Sequence, residues 1–315
     1  MKRIRIPGAV DIVISEDAAE IQFLAQNPSL DRAYADQSIL TNGLILRRVL
    51  KVLQFNGKRF PTVSPKDAEG RAALQEALWT RLNALAPHFA AGPDELESLA
   101  AFVRGQGSDA GSGPLVQQVV GRLFNPDFKA TQASWDAAVV LDKAPRTMNP
   151  VLPVWWALTG KVDRARLLLA EMVGGDLAGI HAIGIALHNV VDGVNQMRKL
   201  YNDPAQRTAL SGEAASKRCL FAPATVLRQP TVPVSSAEGD LQTGTLLILK
   251  LQSANANAPN EDVTFLRQSW SRCPAEQWVP ALLQGIWSRA CGGQSQVSSN
   301  GNAAVCPVAH TAPPA

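Results

Sequence analysis

Cysteine is scarce. The four in this 315-residue chain, Cys219, Cys273, Cys291 and Cys306, lie far apart, which excludes the disulfide framework of a small secreted domain and points to a reducing, cytoplasmic setting. There is no paired-cysteine zinc spacing. Gly105-Gln106-Gly107 and Gly111-Ser112-Gly113 precede no strand-to-helix fingerprint, so no nucleotide-binding loop is present. Charge of one sign is lacking too. The net charge is +3, with basic residues scattered among acids and no basic patch with interleaved aromatics, so nothing points to a nucleic-acid partner. No apolar run reaches the 18 or so residues of a transmembrane segment. Met1 to Ile6 is basic, but Pro7, Gly8 and Asp11 interrupt it before a signal-peptide core can form. These absences predict a soluble protein without a transmembrane segment.

What is present reads as mainly helix with a small β-sheet, arranged as one domain over residues 1–290. Residues 291–315, rich in Gly, Ser, Gln, Asn, Ala and Pro, read as a disordered tail. Val10 to Ile14 alternates and is β-branched, as a short strand does. Ser15-Glu16-Asp17 then predicts the start of a helix ending near Asn27-Pro28. A helix is expected from Leu44 to Leu53, closed by Asn56-Gly57. Another is expected from Ser64-Pro65, with Leu74, Leu78, Leu82 and Leu85 along one core-facing stripe. Further helices are predicted over Asp94–Arg104, Leu115–Phe124 and Ser134–Leu141, with Gly107–Gly113 as a flexible link. Pro150 to Trp156 is an apolar, aromatic, proline-broken segment, either a buried loop or an exposed lip. Strands are expected at Thr225–Leu227, Thr231–Val234 and Leu241–Leu251. A last helix opens at Pro274, with Trp278, Leu282, Ile286 and Trp287 on one face.

The stretch from Val162 to Tyr201 organises the rest. From Leu177 to Val191 its only polar residues are His181, His188 and Asn189, as in a helix buried on every side. Unbroken, at about 1.5 Å per residue, it would run roughly 60 Å. It holds Gly174, Gly175, Gly179, Gly184 and Gly193. Glycine inside a helix costs about 1 kcal/mol relative to alanine, so the cluster implies close packing of neighbours, or a flat face or local opening against a planar ligand. His181 and His188 are seven residues apart and share a face of a regular helix, a spacing open to metal or haem ligation as well as to core hydrogen bonding.

Cys273 is the leading candidate for chemistry. With Pro274 and Glu276 after it, it reads as the N-cap of the last helix, where free amides and the helix dipole favour a thiolate. Arg272 adds positive charge. A buried, inert cysteine is the alternative. The tail holds a second Cys-Pro pair, Cys306-Pro307, of the kind found in regulatory haem-binding segments.

Several motifs, in order, resemble the C-terminal half of the cytochrome P-450 superfamily. They are Leu220-Phe221-Ala222-Pro223, Val226-Leu227-Arg228, Gly239, Gly244-Thr245-Leu246, Ala254-Asn255-Ala256-Asn257 and Arg272-Cys273-Pro274-Ala275-Glu276-Gln277. The long helix with Gly174-Gly175-Asp176, and the opening strand and helix from Val10 to Leu24, match as well. The resemblance covers about two thirds of the chain. It implies a truncated P-450-like helical fold around a long central helix, and haem b with Cys273 as the axial thiolate to iron. It also implies Arg228 on a propionate, and Gly174, Gly175 and Asp176 passing over the distal face. The implied activity is oxidation of a small hydrophobic substrate, as a monooxygenase with a redox partner or as a peroxide- or hydroperoxide-dependent oxidoreductase. A partner subunit that completes the site is a further possibility. The chain departs from the family pattern at its Glu-x-x-Arg pair, which falls on Lys217 and Leu220, and at the distal acid-threonine pair, which becomes Asp176-Leu177. Ser269 stands where the family has glycine before the cysteine. These departures keep open the alternative of a haem-free, non-catalytic binding module on the same scaffold.

Overall fold

The computed structural model describes residues 1–106, 111–146, 155–156, 158–236, 239–256 and 259–292. Gly107 and the rest of the expected link to residue 110, Pro150 to Val154, Asn257 and the tail from residue 293, with Cys306-Pro307, lie outside them.

Alternation along two strands decides how the sheet is used. β1 (Lys2–Ile6), β2 (Val10–Ser15), β3 (Leu30–Asp31), β6 (Val226–Pro230) and β7 (Leu246–Leu249) form a five-stranded sheet in the order β1-β2-β7-β6-β3. β2 and β7 run parallel; the other neighbours are antiparallel. Ile12 and Leu246 point into the large helical core, whereas Val13, Leu247 and Leu249 point into a smaller one, because successive side chains leave opposite faces of a strand. The small core is closed by α1 (Ala18–Gln26), α11 (Leu251–Ala254) and α12 (Glu261–Phe265), through Ile21, Leu24, Leu251, Val263 and Leu266.

The large core is helical. It is built from α2 (Leu40–Val52), α3 (Arg71–Ala90), α4 (Glu97–Val103), α5 (Ser112–Arg122), α6 (Gln132–Lys143), α7 (Lys161–Met172), α8 (Leu177–Asn202), α10 (Gly212–Arg218) and α13 (Trp278–Gly292), with α9 (Pro204–Ala209) on its surface. A small hairpin, β4 (Gln54–Phe55) and β5 (Lys58–Arg59), follows α2. Its two-residue turn is Asn56-Gly57, both at positive φ, so this pair turns a hairpin instead of merely ending a helix.

Mainly helix with a small sheet is what the sequence predicts, but several boundaries move. Asp17, not Ser15, caps α1, accepting from the Glu20 N–H. The hydroxyl of Ser64 donates to the Arg59 and Phe60 carbonyls and caps nothing; α3 starts seven residues later behind Gly70. Along α3 only the C-terminal half is buried, at Leu82, Ala86 and Phe89, and Leu74 is exposed. The last helix begins at Trp278, four residues after Pro274, and its Trp278, Leu282, Ile286 and Trp287 are buried as expected.

The long central helix is two helices. α7 ends at Met172, the chain turns through Gly174 (φ 63°) and Gly175 (φ 79°), and α8 begins after Asp176, which caps it by accepting from the Ala178 N–H at 2.9 Å. Left-handed backbone suits glycine, and here it stops the helix. The other glycines mark close approaches: a Cβ at Gly193 would lie 2.5 Å from the Cys219 carbonyl, and one at Gly184 would meet Leu169 and Leu141. α8 is long and apolar enough to cross a membrane, yet more than half of its apolar window is buried inside this fold.

The tightest helix crossing is that of α3 and α13. A Cβ at Gly285 would stand 1.9 Å from the Phe89 carbonyl oxygen. Gly285→Ala is therefore expected to destabilise the protein by about 3 kcal/mol or more, since the backbone of α3 must move. Gly174→Ala, with nothing within 4 Å of the new Cβ, costs only the strain of a left-handed alanine, roughly 1–2 kcal/mol. Urea denaturation midpoints of the two variants should fall in that order.

Candidate functional site

The register of β3 on β6 creates the site's charge. Asp31 pairs with Gln229, so the next residue, Arg32, is brought beside Arg228. Both arginines are almost wholly buried, at 4% and 0% exposure. A third, half-buried Arg71, is the first residue of α3. All three guanidiniums surround the ring of Trp270, at 5.2, 5.0 and 4.5 Å from its centroid for Arg32, Arg228 and Arg71.

None of the three forms an ion pair among the described residues. Arg228 donates to the Leu227 carbonyl and to Ser271 Oγ, Arg32 to the Pro61 carbonyl, and Arg71 to the Trp270 carbonyl. Their Nε atoms, and the indole nitrogen of Trp270, are buried with no acceptor. The nearby carboxylate of Asp31 is taken up by the backbone N–H groups of Arg32 and Lys66, at 2.6 and 2.8 Å. Burial pushes all three arginine pKa values down. For Arg32 the charges of Arg228 and Arg71 push further; Arg228 falls to about 10 and stays charged at neutral pH. The N-terminus of α3 adds to the positive potential, because it has neither a capping side chain nor an acid in its first turn. The cluster thus holds four buried donors without an acceptor and three cations without an ion pair among the described residues, with the Asp31 charge nearby acting on each of them.

The loop with Cys273 is clamped to the same helix. One stripe of α3, at i, i+4 and i+8, holds it: Arg71 on the Trp270 carbonyl, Gln75 donating to the Arg272 carbonyl at 2.8 Å, and Trp79 Nε1 donating to Glu276 at 3.1 Å. Ser269 and Ser271 bond each other, and the Cys273 N–H donates to the Phe265 carbonyl at 2.8 Å. At the base of the loop Leu266 holds a left-handed φ of 49°, a strained conformation for leucine.

Cys273 is half-buried, and its position corrects the capping expectation. It precedes the first helical residue by five positions, so the α13 dipole does not act on it as on an N-cap. Burial pushes its thiol up to about 11, against the Ala275 backbone N–H, which favours the thiolate. In this state the sulfur is a neutral thiol.

The remaining candidates separate. Gly174, Gly175 and Asp176 form an exposed turn, because the left-handed glycines end α7 at the surface, and Asp176 is occupied as a helix cap. That placement does not fit a buried distal face. The opening of the central helix lies further on, as a π-helical turn over Ala182–Ala186. This turn also divides the two histidines, since a wider turn shifts the register of the residues after it. His188 stacks near Trp135 at 5.0 Å and bonds the Ala138 carbonyl. His181 lies by Phe60 and is held neutral down to about pH 4, by burial first and then by Arg32. A cleft of about 500 Å³ between α3 and α5, lined by Arg81, Leu85, Phe89, Arg122 and Leu123, includes neither Cys273 nor the arginine cluster.

Arg32, Arg71 and Trp270 were not among the residues the sequence singled out. Their only local signal is Arg71, a cation at the start of a helix where acids are favoured.

No protein-family model and no curated protein matches the sequence. Solved structures do match in fold. The mycinamicin VIII C21 methyl hydroxylase MycCI from Micromonospora griseorubida superposes with a TM-score of 0.62 at 12% identity, over 91% of this chain and 84% of that one. A 6-coordinated cytochrome P450 from Thermus thermophilus gives 0.59 at 15%, over 89% and 84%. P450BioI, in complex with hexadec-9Z-enoic acid ligated acyl carrier protein, gives 0.58 at 15%, over 95% and 88%. Superposition on these neighbours over about nine-tenths of its length shows that the chain has the cytochrome P450 fold.

Proposed function

We propose that the chain binds haem b, with Cys273 as the iron ligand and Arg228, Arg32 and Arg71 on the propionates, and that it is an oxidoreductase for a small hydrophobic organic substrate. The observation that carries this is the set of three guanidiniums without an ion pair among the described residues, packed on an indole three residues of chain away from a cysteine. Haem propionates are the counter-charge this cluster lacks, and a guanidinium binds carboxylate through two parallel N–H groups.

The residues fit the group. The Cys273 sulfur has an amide donor in Ala275, as the charged form requires. Its raised pKa describes the metal-free thiol, because a coordinating thiol loses its proton to the metal. The Trp270 ring lies where the guanidiniums converge, and its unpaired N–H is a fourth donor for the same anion. When bound, haem supplies the activation of oxygen or peroxide that the protein's own side chains lack. The chain's own work is to fix the cofactor's anionic edge at β6 and α3, to hold the sulfur on the clamped loop, and to exclude water with the large core. Asp176 and Gly174-Gly175, at the exposed turn, have no part in it.

Substrate class follows from likeness. MycCI is bound to mycinamicin VIII, and P450BioI is in complex with acyl carrier protein carrying hexadec-9Z-enoic acid; by analogy this chain takes a hydrophobic organic molecule. Turnover with oxygen would need an electron-donating partner, whereas turnover with hydroperoxide would not.

The test is haem titration of the purified protein. The reduced, carbon monoxide-treated wild type is expected to show a strongly red-shifted Soret band that Cys273→Ala abolishes. A wild type that takes up no haem sinks the oxidoreductase reading and leaves a haem-free binding module. Arg228→Met is expected to weaken haem uptake about tenfold or more, while the haem-free variant is no less stable than wild type, because a buried uncompensated charge has been removed. Thermal midpoints beside haem affinities check both halves. Ligation removes one proton from a thiol whose pKa is about 11. Haem affinity should therefore rise about tenfold per pH unit between pH 7 and 9, a slope missing in Cys273→Ala.

A further inference from the structure

The outer strand of the sheet leaves apolar side chains in water. β1 pairs with β2, and its register sets Lys2, Ile4 and Ile6 opposite Ile14, Ile12 and Val10. Directly paired residues leave the same face of a sheet, so these three share the face on which Ile12 enters the large core and α2 packs against β2. Cover is incomplete over β1, where Ile4 and Ile6 are 42% and 55% exposed. The first turn of α2 is bonded to the turn between β1 and β2: the Leu40 N–H donates to the Gly8 carbonyl at 3.2 Å and the Thr41 N–H to the Ala9 carbonyl at 2.9 Å. Leu40 therefore stands beside the end of β1.

The outer face of α2 continues the patch. Leu40, Leu44, Arg47 and Lys51 fall at i, i+4, i+7 and i+11, on one side of the helix, and all four are exposed. Leu40 and Leu44 are so by 63% and 57%, while Leu46, Val49 and Val52 enter the core. Neither β1 nor α2 contains an acid; their charged residues are Lys2, Arg3, Arg5, Arg47, Arg48 and Lys51. Arg3 pairs with Asp11, Arg48 donates to the Ala144 carbonyl and Arg47 to Gln37 Oε1. Lys2, Arg5, Arg47 and Lys51 form no ion pair among the described residues. The carboxylates that Lys2 and Arg5 act on at longer range, Glu16 and Asp11, are paired with Lys250 and Arg3. Asp36, ahead of α2, accepts from the hydroxyls of Ser38 and Thr243.

We propose that the face made by Ile4, Ile6, Leu40, Leu44, Arg47 and Lys51 docks on the surface of an anionic phospholipid bilayer. Lipid phosphates supply the negative charge that β1 and α2 lack. The four apolar side chains stand out from the strand and the helix, and the cleft between α3 and α5 is lined by other residues. Protruding apolar groups of this kind fit the boundary between headgroups and acyl chains, and the aliphatic stems of arginine and lysine lie along the same apolar surface while their charges reach the phosphates. Docking of this kind uses no spanning helix. It goes beyond the haem reading and does not depend on it.

The test is co-sedimentation of the protein with vesicles of phosphatidylcholine and phosphatidylglycerol in equal parts, beside vesicles of phosphatidylcholine alone. Wild type is expected to pellet with the anionic vesicles, to be released as salt rises, and to bind the neutral ones about tenfold or more weakly. Leu40→Ser/Leu44→Ser should lower the partition coefficient about tenfold or more. Arg47→Gln/Lys51→Gln should lower it about twentyfold at low salt, roughly fivefold for each cation removed. All four positions are exposed, so both double variants should keep the wild-type thermal midpoint. Phe23→Ser removes another exposed side chain, from α1 on the opposite face of the sheet, and should leave binding unchanged. A wild type that stays in the supernatant with anionic vesicles overturns the proposal and leaves an acidic protein as the occupant of this face. Binding that survives both double variants, or that Phe23→Ser weakens as much as they do, overturns the assignment to β1 and α2.

Discussion

Three guanidiniums packed around one indole, with no ion pair among the described residues and only the nearby Asp31 charge to answer them, are what the rest of this structure has to accommodate. Burying a cation without a partner is costly, and here Arg32 directly after β3, Arg71 in α3 and Arg228 in β6 are gathered from three separate parts of the chain. Cation–π contact with Trp270 contributes on the order of 1–2 kcal/mol per pair when desolvated, which offsets part of the cost and leaves the Nε donors without acceptors. The surrounding architecture holds this arrangement in place: the β3–β6 register sets two of the arginines side by side, and the face of α3 that carries the third also grips the cysteine loop. A cluster so constrained is more readily understood as a site prepared for an anion than as a device for stability.

The cysteine and the cluster depend on each other through α3. Arg71, Gln75 and Trp79 lie one turn apart, so one rigid helix fixes the charge, the loop carbonyls and the Glu276 end of the loop in a single geometry. α3 is in turn fixed by its crossing with α13 at Gly285, where backbone meets backbone. Position therefore propagates from a glycine in the core to the sulfur at the edge of the site, through packing that tolerates little adjustment. The strained Leu266 at the base of the loop is consistent with a conformation imposed by these contacts.

The central helix shows how local sequence and function part company. Its glycines read as one feature and prove to be two. Gly174 and Gly175 terminate a helix at the surface, while Gly184 and Gly193 let neighbouring helices close in. The departure from regular helix occurs where the residues are Ala-Ile-Gly-Ile-Ala, a stretch with no polar marker, and it turns His181 and His188 towards different neighbours.

Local sequence was enough for the class of the fold: period-3.6 apolar patterning through most of the chain and period-2 alternation at Val10–Ile14 and near Leu246 are local properties, though the strand expected at Thr231–Val234 is reduced to a single bridge from Val234 to Leu241 and the one expected over Leu241–Leu251 to Leu246–Leu249. It was also enough to mark Cys273 and Arg228 as candidates, through their order in a recognisable run of motifs. Which side chains share a site was settled by packing alone. Arg32 and Arg71 lie far from Cys273 in sequence and meet it through strand register and helix packing. α13 begins at Trp278, four residues after the Pro274 at which the sequence pattern opens it. Asp176 became a surface cap because two left-handed glycines end α7 before it. The charge state of the thiol was likewise a matter of burial, and burial is a property of the folded chain that no spacing of residues records.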